Sequence, residues 1–434
     1  MELAEKAESM RKAWWSIGLA AVTMLIWSGP GRAQAELTKA LSHLPSLVGQ
    51  PATYQRNGTE SIFGIARRYG VGAAMISNAN AGSLTGGGEL LTLPTQHIAP
   101  LAHANGIVIN LPERNLYFYR DGRPYKVFPI AIGRRGWETP TGEFHIANMR
   151  KNPTWFPPKW AIEEHPVPPG PDNPLGDRWM GLSLPGYGLH ATNSPASIGR
   201  FASHGCMRMY PEHAHELYEL VKVGTPVRII YQVFSIGYDP EEGIVYLAHH
   251  PDPYQQGDAT VERVEAELAS YGLAEFADVD AIAKALERPR GVPVPVVGST
   301  TKVIVGGREA RFALAPIATG SDWLVPAGGL AQALGAHAEI GPGGGFALLA
   351  RNGQRVVYTR DSSEALVNGA LVNLETPMRT ALGYPLVPLK ATATALGASV
   401  GWDEGAKAVL IWTSPTPGVT RSAQVGGAIP ALGH

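Results

Sequence analysis

The sequence predicts a multidomain fold: a small βααβ unit, a mainly-β unit with one main helix, and a duplicated α+β unit toward the C-terminal end. Three observations predict it. The chain has 434 residues, 44% of them hydrophobic and 17% charged, an ordinary globular composition at a length too great for one hydrophobic core, so two to four domains are expected. Its 51 Gly and 36 Pro call for many turns, short strands and linkers. A self-similarity recurs 62 positions on in the last third of the chain, the mark of an internal duplication. The formal net charge of −1, with no basic run, argues against nucleic acid as a partner, because phosphate binding needs a concentrated basic surface.

At the N-terminus Lys6, Arg11 and Lys12 precede an apolar run from Ala13 to Trp27, followed by Ser28-Gly29-Pro30 and a small-x-small site at Ala33-Gln34-Ala35. Residues 1–35 read as a secretory signal peptide cleaved after Ala35. The alternative is an uncleaved anchor, although an apolar run of about 15 residues is short for a membrane span. Either way the remainder is expected outside the cytoplasm, secreted or associated with the wall or periplasm, with no membrane contact once the signal is removed.

Residues 51–95 form the small unit. Thr53-Tyr54-Gln55-Arg56 is extended and Asn57 to Ser61 a turn; Ile62, Ile65, Ala66 and Tyr69 share one face of a helix. Gly70-Val71 breaks it, Gly72 to Asn80 offers a second short helix, and Glu89 to Pro94 returns as a strand. This order, with the Ile-Ala-Arg-Arg-Tyr-Gly-Val run, Asn80 and the closing Leu-Thr-Leu-Pro, resembles a LysM module. The resemblance implies binding to the N-acetylglucosamine-containing glycan strands of peptidoglycan or chitin. The usual Gly-Asp-Ser turn reads Gly-Thr-Glu-Ser here.

Residues 106–231 alternate apolar and polar positions in Gly106 to Leu111, Asn115 to Arg120 and Tyr125 to Ile132, with a hairpin turn at Asp121-Gly122. Thr139 to Gly142 makes another tight turn before Glu143 to Ala147 resumes the alternation. The one clear helix runs from Pro211 to Val221, with Pro211 suited to its first turn, Ala214, Leu217 and Val221 on one face, and Gly224 able to end it before the strand Val227 to Tyr231.

Cys206, the only cysteine, lies in this unit, in Ser203-His204-Gly205-Cys206-Met207-Arg208. A lone cysteine cannot form an intrachain disulfide, and with two histidines it makes a poor zinc set, so no metal and no cofactor is expected. Exported cysteines are usually paired or absent, which makes this thiol stand out. His190 lies sixteen positions upstream, near enough through a strand and a turn to act as base and to draw the thiol's pKa down. Gly205 would let backbone N–H groups approach a developing oxyanion. On composition alone a catalytic thiol and a buried structural thiol stay equally open. His213 and His215 read as surface residues beside the helix, and His249-His250 as a chance pair.

His190-Ala191-Thr192-Asn193, Ser197-Ile198-Gly199 and Ser203 to Met209 resemble the signature of the L,D-transpeptidases, and Gly224-Thr225-Pro226-Val227 is similar to its closing strand. Thr139 to Gly142 and Asn152-Pro153-Thr154-Trp155-Phe156-Pro157-Pro158 match further landmarks, so the resemblance covers the whole unit. It implies transfer of an acyl group between peptidoglycan stem peptides, giving 3→3 cross-links with release of D-alanine from a donor tetrapeptide. By position, it implies Cys206 as nucleophile and His190 as general acid and base. Ser203, His204 and Gly205 would line the oxyanion region or orient the turn. Arg208 would bind a substrate carboxylate or else form a structural salt bridge. Where the family has Gly after the first histidine, this chain has Ala191, which adds a methyl to a tight site. Transfer to water, making an L,D-carboxypeptidase, and a non-catalytic wall-binding protein are the alternative functions.

Residues 232–294 read as a connector, with strand at Gly243 to Leu247, amphipathic helices at Thr260 to Ser270 and Asp278 to Glu287, and a stiff hinge over Pro289 to Pro295. In residues 295–413, Leu324-Val325-Pro326 recurs as Leu386-Val387-Pro388 and Ala333 to Ala336 as Ala395 to Ala398, each after a hairpin at Val303 to Gly307 or Ala365 to Gly369. This duplication resembles the stalk-type domain named after the N-terminal region of copper amine oxidases, which carries no copper itself; packing, surface association or spacing is the expected role. The Pro-, Gly- and Ala-rich tail, residues 414–434, is expected to be disordered.

Overall fold

Helix α1 (Pro30–Leu41) opens the part of the chain described by the computed structural model, residues 30–413 apart from Thr59, 81–83, 85–87, 103–104, 159–160 and 162–164. Most of the expected signal peptide and the whole of the expected disordered tail lie outside the described residues. The expected cleavage point after Ala35 falls within α1, a packed helix whose Ala33, Leu37 and Leu41 are buried. Its Gln34 Nε2 donates to Arg311 O at 3.0 Å in the C-terminal unit.

The small unit follows. Strand β1 (Leu47–Val48) precedes β2 (Ala52–Gln55), α2 (Ile62–Arg68), α3 (Ala73–Ala79), β3 (Leu90–Leu93) and β4 (His97–Ile98). β2 pairs with β3 and β1 with β4, both antiparallel. Ser61 caps α2 by accepting from Gly64 N at 3.1 Å, satisfying a first-turn donor that the helix itself cannot. The Asn80 side chain ties the end of α3 to β3 through Ile76 O and Thr92 O, each at 2.8 Å, and Thr92 N at 2.9 Å.

The mainly-β unit contains β5 (Gly106–Asn110), β6 (Asn115–Arg120), β7 (Arg123–Gly133), β8 (Gly142–Lys151), β9 (Arg178–Leu182), β10 (Gly188–His190), β11 (Phe201–Ser203), β12 (Met207–Met209), α4 (Pro211–Leu220) and β13 (Pro226–Ile230). Asp121 and Gly122 both adopt positive φ, 53° and 71°, as a two-residue hairpin turn between twisted strands requires. The sheet order is β11-β7-β12-β10-β9-β8-β13-β5-β6, and β6 also pairs with β7, so all of these strands except β11 close into a ring. β7 makes the closure because it is long: residues 123–129 pair with β6, and Ile130 to Gly133 with β12 and β11. Ile109, Leu116, Ile130, Met180, Leu189, Met207 and Met209 fill the ring, joined by Ala214 and Leu217 from α4.

The connector holds β14 (Phe234–Asp239), β15 (Ile244–His249), α5 (Val261–Ser270), α6 (Val279–Leu286) and β16 (Val294–Val297). Thr260 and Asp278 cap the two helices at the positions where the sequence begins them. The boundary at residue 295 requires correction: Pro295 lies in β16 opposite Tyr246 of β15. Val296 and Val297 bury against the connector core, and a proline is tolerated because β16 is an edge strand.

The C-terminal unit contains β17 (Lys302–Val305), β18 (Arg308–Ala310), β19 (Ile317–Thr319), β20 (Asp322–Pro326), α7 (Ala327–Leu334), β21 (His337–Ile340), β22 (Phe346–Arg351) and β23 (Gln354–Thr359) in its first half. Its second half has β24 (Glu364–Val367), β25 (Ala370–Asn373), β26 (Arg379–Ala381), β27 (Tyr384–Pro388), α8 (Leu389–Ala395), β28 (Ser399–Asp403) and β29 (Ala408–Trp412). The repeated Leu-Val-Pro strands pair with each other, Val325 opposite Val387, so the two copies meet about a pseudo-two-fold axis. They also exchange hairpins: β17 and β18 join β29 and β28, while β24 and β25 extend β21 to β23.

Candidate active site

β10 and β12 are parallel neighbours, with Leu189 opposite Met207 and His190 opposite Arg208. Alternation along strands then sorts the side chains. Leu189, Met207 and Met209 enter the ring core, while His190 and Arg208 face a cleft of about 590 Å³ that Cys206 also lines.

A tight turn from Ser203 delivers Cys206 to that cleft. Ser203 Oγ donates to Cys206 O at 2.5 Å and accepts from Gly205 N at 3.1 Å. Thr139 Oγ1 donates to Gly205 O at 2.8 Å and accepts from Gly133 N at 3.0 Å. From the connector, Tyr254 supports the same point, its hydroxyl donating to Gly133 O at 2.7 Å and accepting from Thr139 N at 3.2 Å. Gly205 has φ 107°, and a Cβ there would lie 2.6 Å from Tyr187 Cε1, so only glycine fits. Its N–H is directed at Ser203 Oγ, a contact that holds the shape of the turn.

The Cys206 thiol donates to Gly186 O at 3.3 Å. Burial pushes its pKa up from the ordinary thiol value, opposed by the Gly188 N–H and the Arg208 charge. His190 is 4% exposed. Its Nδ1 lies 2.6 Å from Ala191 O, and because a carbonyl can only accept, this fixes the proton on Nδ1 and leaves Nε2 basic. The ring packs beside Trp179, with centroids 5.9 Å apart. Burial, then the Arg208 charge, push His190 down to about 4 against the pull of the Ala191 and Leu175 carbonyls. The expectation that His190 would draw the thiol down is therefore corrected. Desolvation disfavours charge on both groups, and the resting pair is thiol and neutral imidazole.

Arg208 has its pKa lowered by burial, and among the described residues no carboxylate pairs with it. Arg150, which lines the cleft with Asn148 from β8, likewise has no carboxylate partner among the described residues. His204 lies at the rim, Nε2 2.8 Å from Arg134 Nη2 and its ring edge-on to Trp137 at 4.9 Å. Trp155, Phe156, Trp179 and Tyr187 complete an aromatic wall, Phe156 being 67% exposed. Arg150, Trp179 and Tyr187 carry no motif signal in the sequence; strand alternation and loop packing bring them in. The Ala191 methyl is accommodated opposite Gly176, where a Cβ would come within 2.6 Å of it. His213, expected at the surface, is half-buried against Phe128 and Tyr210, with centroids 5.3 and 5.4 Å away, while His215 is exposed and bonds Asp177 at 2.5 Å.

Comparison with known proteins gives two family matches: the L,D-transpeptidase catalytic domain over residues 104–229 and the copper amine oxidase N-terminal domain over residues 304–411. The probable L,D-transpeptidase ErfK/SrfK of Escherichia coli K12 is 32% identical over 271 residues, covering 58% of this chain and 87% of that protein. The putative L,D-transpeptidase YkuD of Bacillus subtilis 168 is 32% identical over 182 residues, covering 41% of this chain and 98% of that protein. The NMR structure of the catalytic domain from the E. faecium L,D-transpeptidase is 24% identical, covers 30% of this chain and 98% of that one, and has a TM-score of 0.24.

Proposed function

We propose a reaction from one premise: this chain belongs to the L,D-transpeptidase family. It cross-links peptidoglycan through stem peptides. Cys206 Sγ attacks the carbonyl of the L-centre of the donor's diamino acid, forming the S–C bond as the C–N bond to D-alanine breaks. His190 Nε2 takes the thiol proton and passes it to the leaving amine. The acceptor's side-chain amine then attacks the thioester, His190 removes its proton, and that proton returns to the Cys206 sulfur as the amide forms. Arg208, with Arg150 beside it, holds substrate carboxylates. Ser203 and Gly205 keep the turn in shape, and His204 borders the rim.

The observation that supports these roles is that Cys206, a neutral His190 and an Arg208 with no carboxylate partner among the described residues line one cleft. The unit over residues 51–95 is read as a LysM module holding glycan strands, and the protein as extracytoplasmic; the residue patterns of the N-terminal region support both. Among the described residues no helix is long and apolar enough to cross a membrane. The duplicated C-terminal unit acts in spacing or surface association.

The test is incubation of the protein with muropeptide tetrapeptides, read by mass. Dimer plus free D-alanine means transfer, and tripeptide alone means hydrolysis by the same thioester. Cys206→Ala should abolish both, and His190→Gln should lower the rate by about 10²- to 10⁴-fold. Neither product, with no thioester on Cys206, would sink the reading.

A further inference from the structure

The segment from Asn193 to Arg200 joins the strand bearing His190 to β11, and so to Ser203 and Cys206; the small N-terminal unit rests on this segment. Gly72, the residue before α3, meets Gly199, whose φ is 82°. A Cβ on Gly72 would lie 2.6 Å from Gly199 Cα, and one on Gly199 2.7 Å from Gly72 Cα. Two backbones this close leave room for neither side chain.

Arg114 ties the same place together. It is 4% exposed and comes from the turn between β5 and β6. Its Nη1 donates to Gly199 O at 2.9 Å, and its guanidinium lies over the Phe201 ring, 4.8 Å from the centroid. On the other side, with the Asn78 amide turned to match its neighbours, Arg114 Nη2 donates to Asn78 Oδ1 at 3.3 Å, while Asn78 donates to Ala74 O within α3. Peripheral contacts hold the same docking: Tyr210 OH donates to Val71 O at 3.1 Å, and Arg67 forks onto Glu212 at 2.7 and 2.9 Å.

We propose that the small N-terminal unit is a positioning element of the catalytic centre: Gly72 and Asn78, by way of Gly199 and Arg114, fix the segment that sets His190 against Cys206. The inference rests on the reading of Cys206 as nucleophile and is independent of whether the unit binds glycan. Catalytic geometry is sensitive enough for this to matter, since a displacement near 1 Å can cost about 100-fold in rate.

The test uses the full chain and a soluble tetrapeptide that carries no glycan, following thioester formation on Cys206. Asn78→Ala should lower kcat by about tenfold with KM nearly unchanged. Asn78→Asp keeps an oxygen acceptor facing Arg114 and should restore the rate. Gly72→Ala should lower kcat further. If Gly72→Ala fails to fold, the Asn78 pair decides. Wild-type kcat in Asn78→Ala, or a change in KM alone, would overturn the inference and leave the unit a tether. A wild-type chain that forms no thioester removes the reading of Cys206 and this inference together, whereas unaffected variants of an active chain remove this inference alone.

Discussion

Cys206 and His190 carry their protons where a cysteine nucleophile in a resting ion pair would not. Burial raises the thiol and lowers the imidazole, and Arg208 acts on both, stabilising the thiolate while repelling an imidazolium. Transfer of the proton between them is therefore unfavourable at rest; in the proposed reaction it becomes favourable as the sulfur bonds to carbon, so that the nucleophile would form as it is used. The alkylation rate of Cys206 by iodoacetamide should be low at pH 7 and still climbing above pH 9, because burial raises the pKa from an ordinary value of 9.0. A plateau from pH 5 to 8 would mean a thiolate–imidazolium pair and would contradict this account. Both residues were legible in the sequence as a lone thiol and a nearby base. The direction of their pKa shifts was not, because desolvation depends on walls such as Trp179 that fold in from other strands.

At the scale of elements, the turn from Ser203 to Cys206 and the parallel pair of β10 and β12 decide where the chemistry sits. The Gly205-Cys206 step and the strand alternation around it are readable from residue order, whereas Tyr187 as the neighbour that forbids a side chain at 205 is not. Gly205→Ala adds a Cβ 2.6 Å from the Tyr187 ring at a φ of 107°, a conformation unfavourable to any L side chain. It should reduce thioester formation by about 100-fold or more, since the whole turn must shift and small misplacements are costly. A rate within tenfold of wild type would show that the turn yields and that its shape is not critical. Of the two roles expected at Gly205, orienting the turn has a local contact to support it: its N–H donates to Ser203 Oγ, only two residues away.

The duplicated unit sets the lesson at the scale of the whole molecule. Asp322 lies on β20 of the first copy and accepts from Trp323 N at 2.7 Å and, across the pseudo-two-fold, from Lys390 N at 2.8 Å and Ala391 N at 3.1 Å at the start of α8. Asp322→Ala should destabilise the C-terminal unit by about 1–3 kcal/mol, seen as a lower thermal midpoint, because a buried cap shared between the copies is lost. Acylation of Cys206 should be unchanged; a parallel loss of acylation would mean that the C-terminal unit supports the catalytic one. The sequence by itself determined the duplication, the helix starts at Thr260 and Asp278, the hairpin at Asp121-Gly122 and the pairing of a lone thiol with a histidine sixteen positions upstream, because each is encoded in local residue order or periodicity. Only the tertiary structure decided that the two copies exchange hairpins, that β7 closes the ring, that Pro295 belongs to the connector, and that the small unit bears on the segment behind Cys206. Those outcomes depend on which distant surfaces bury each other, and residue order alone does not specify that pairing.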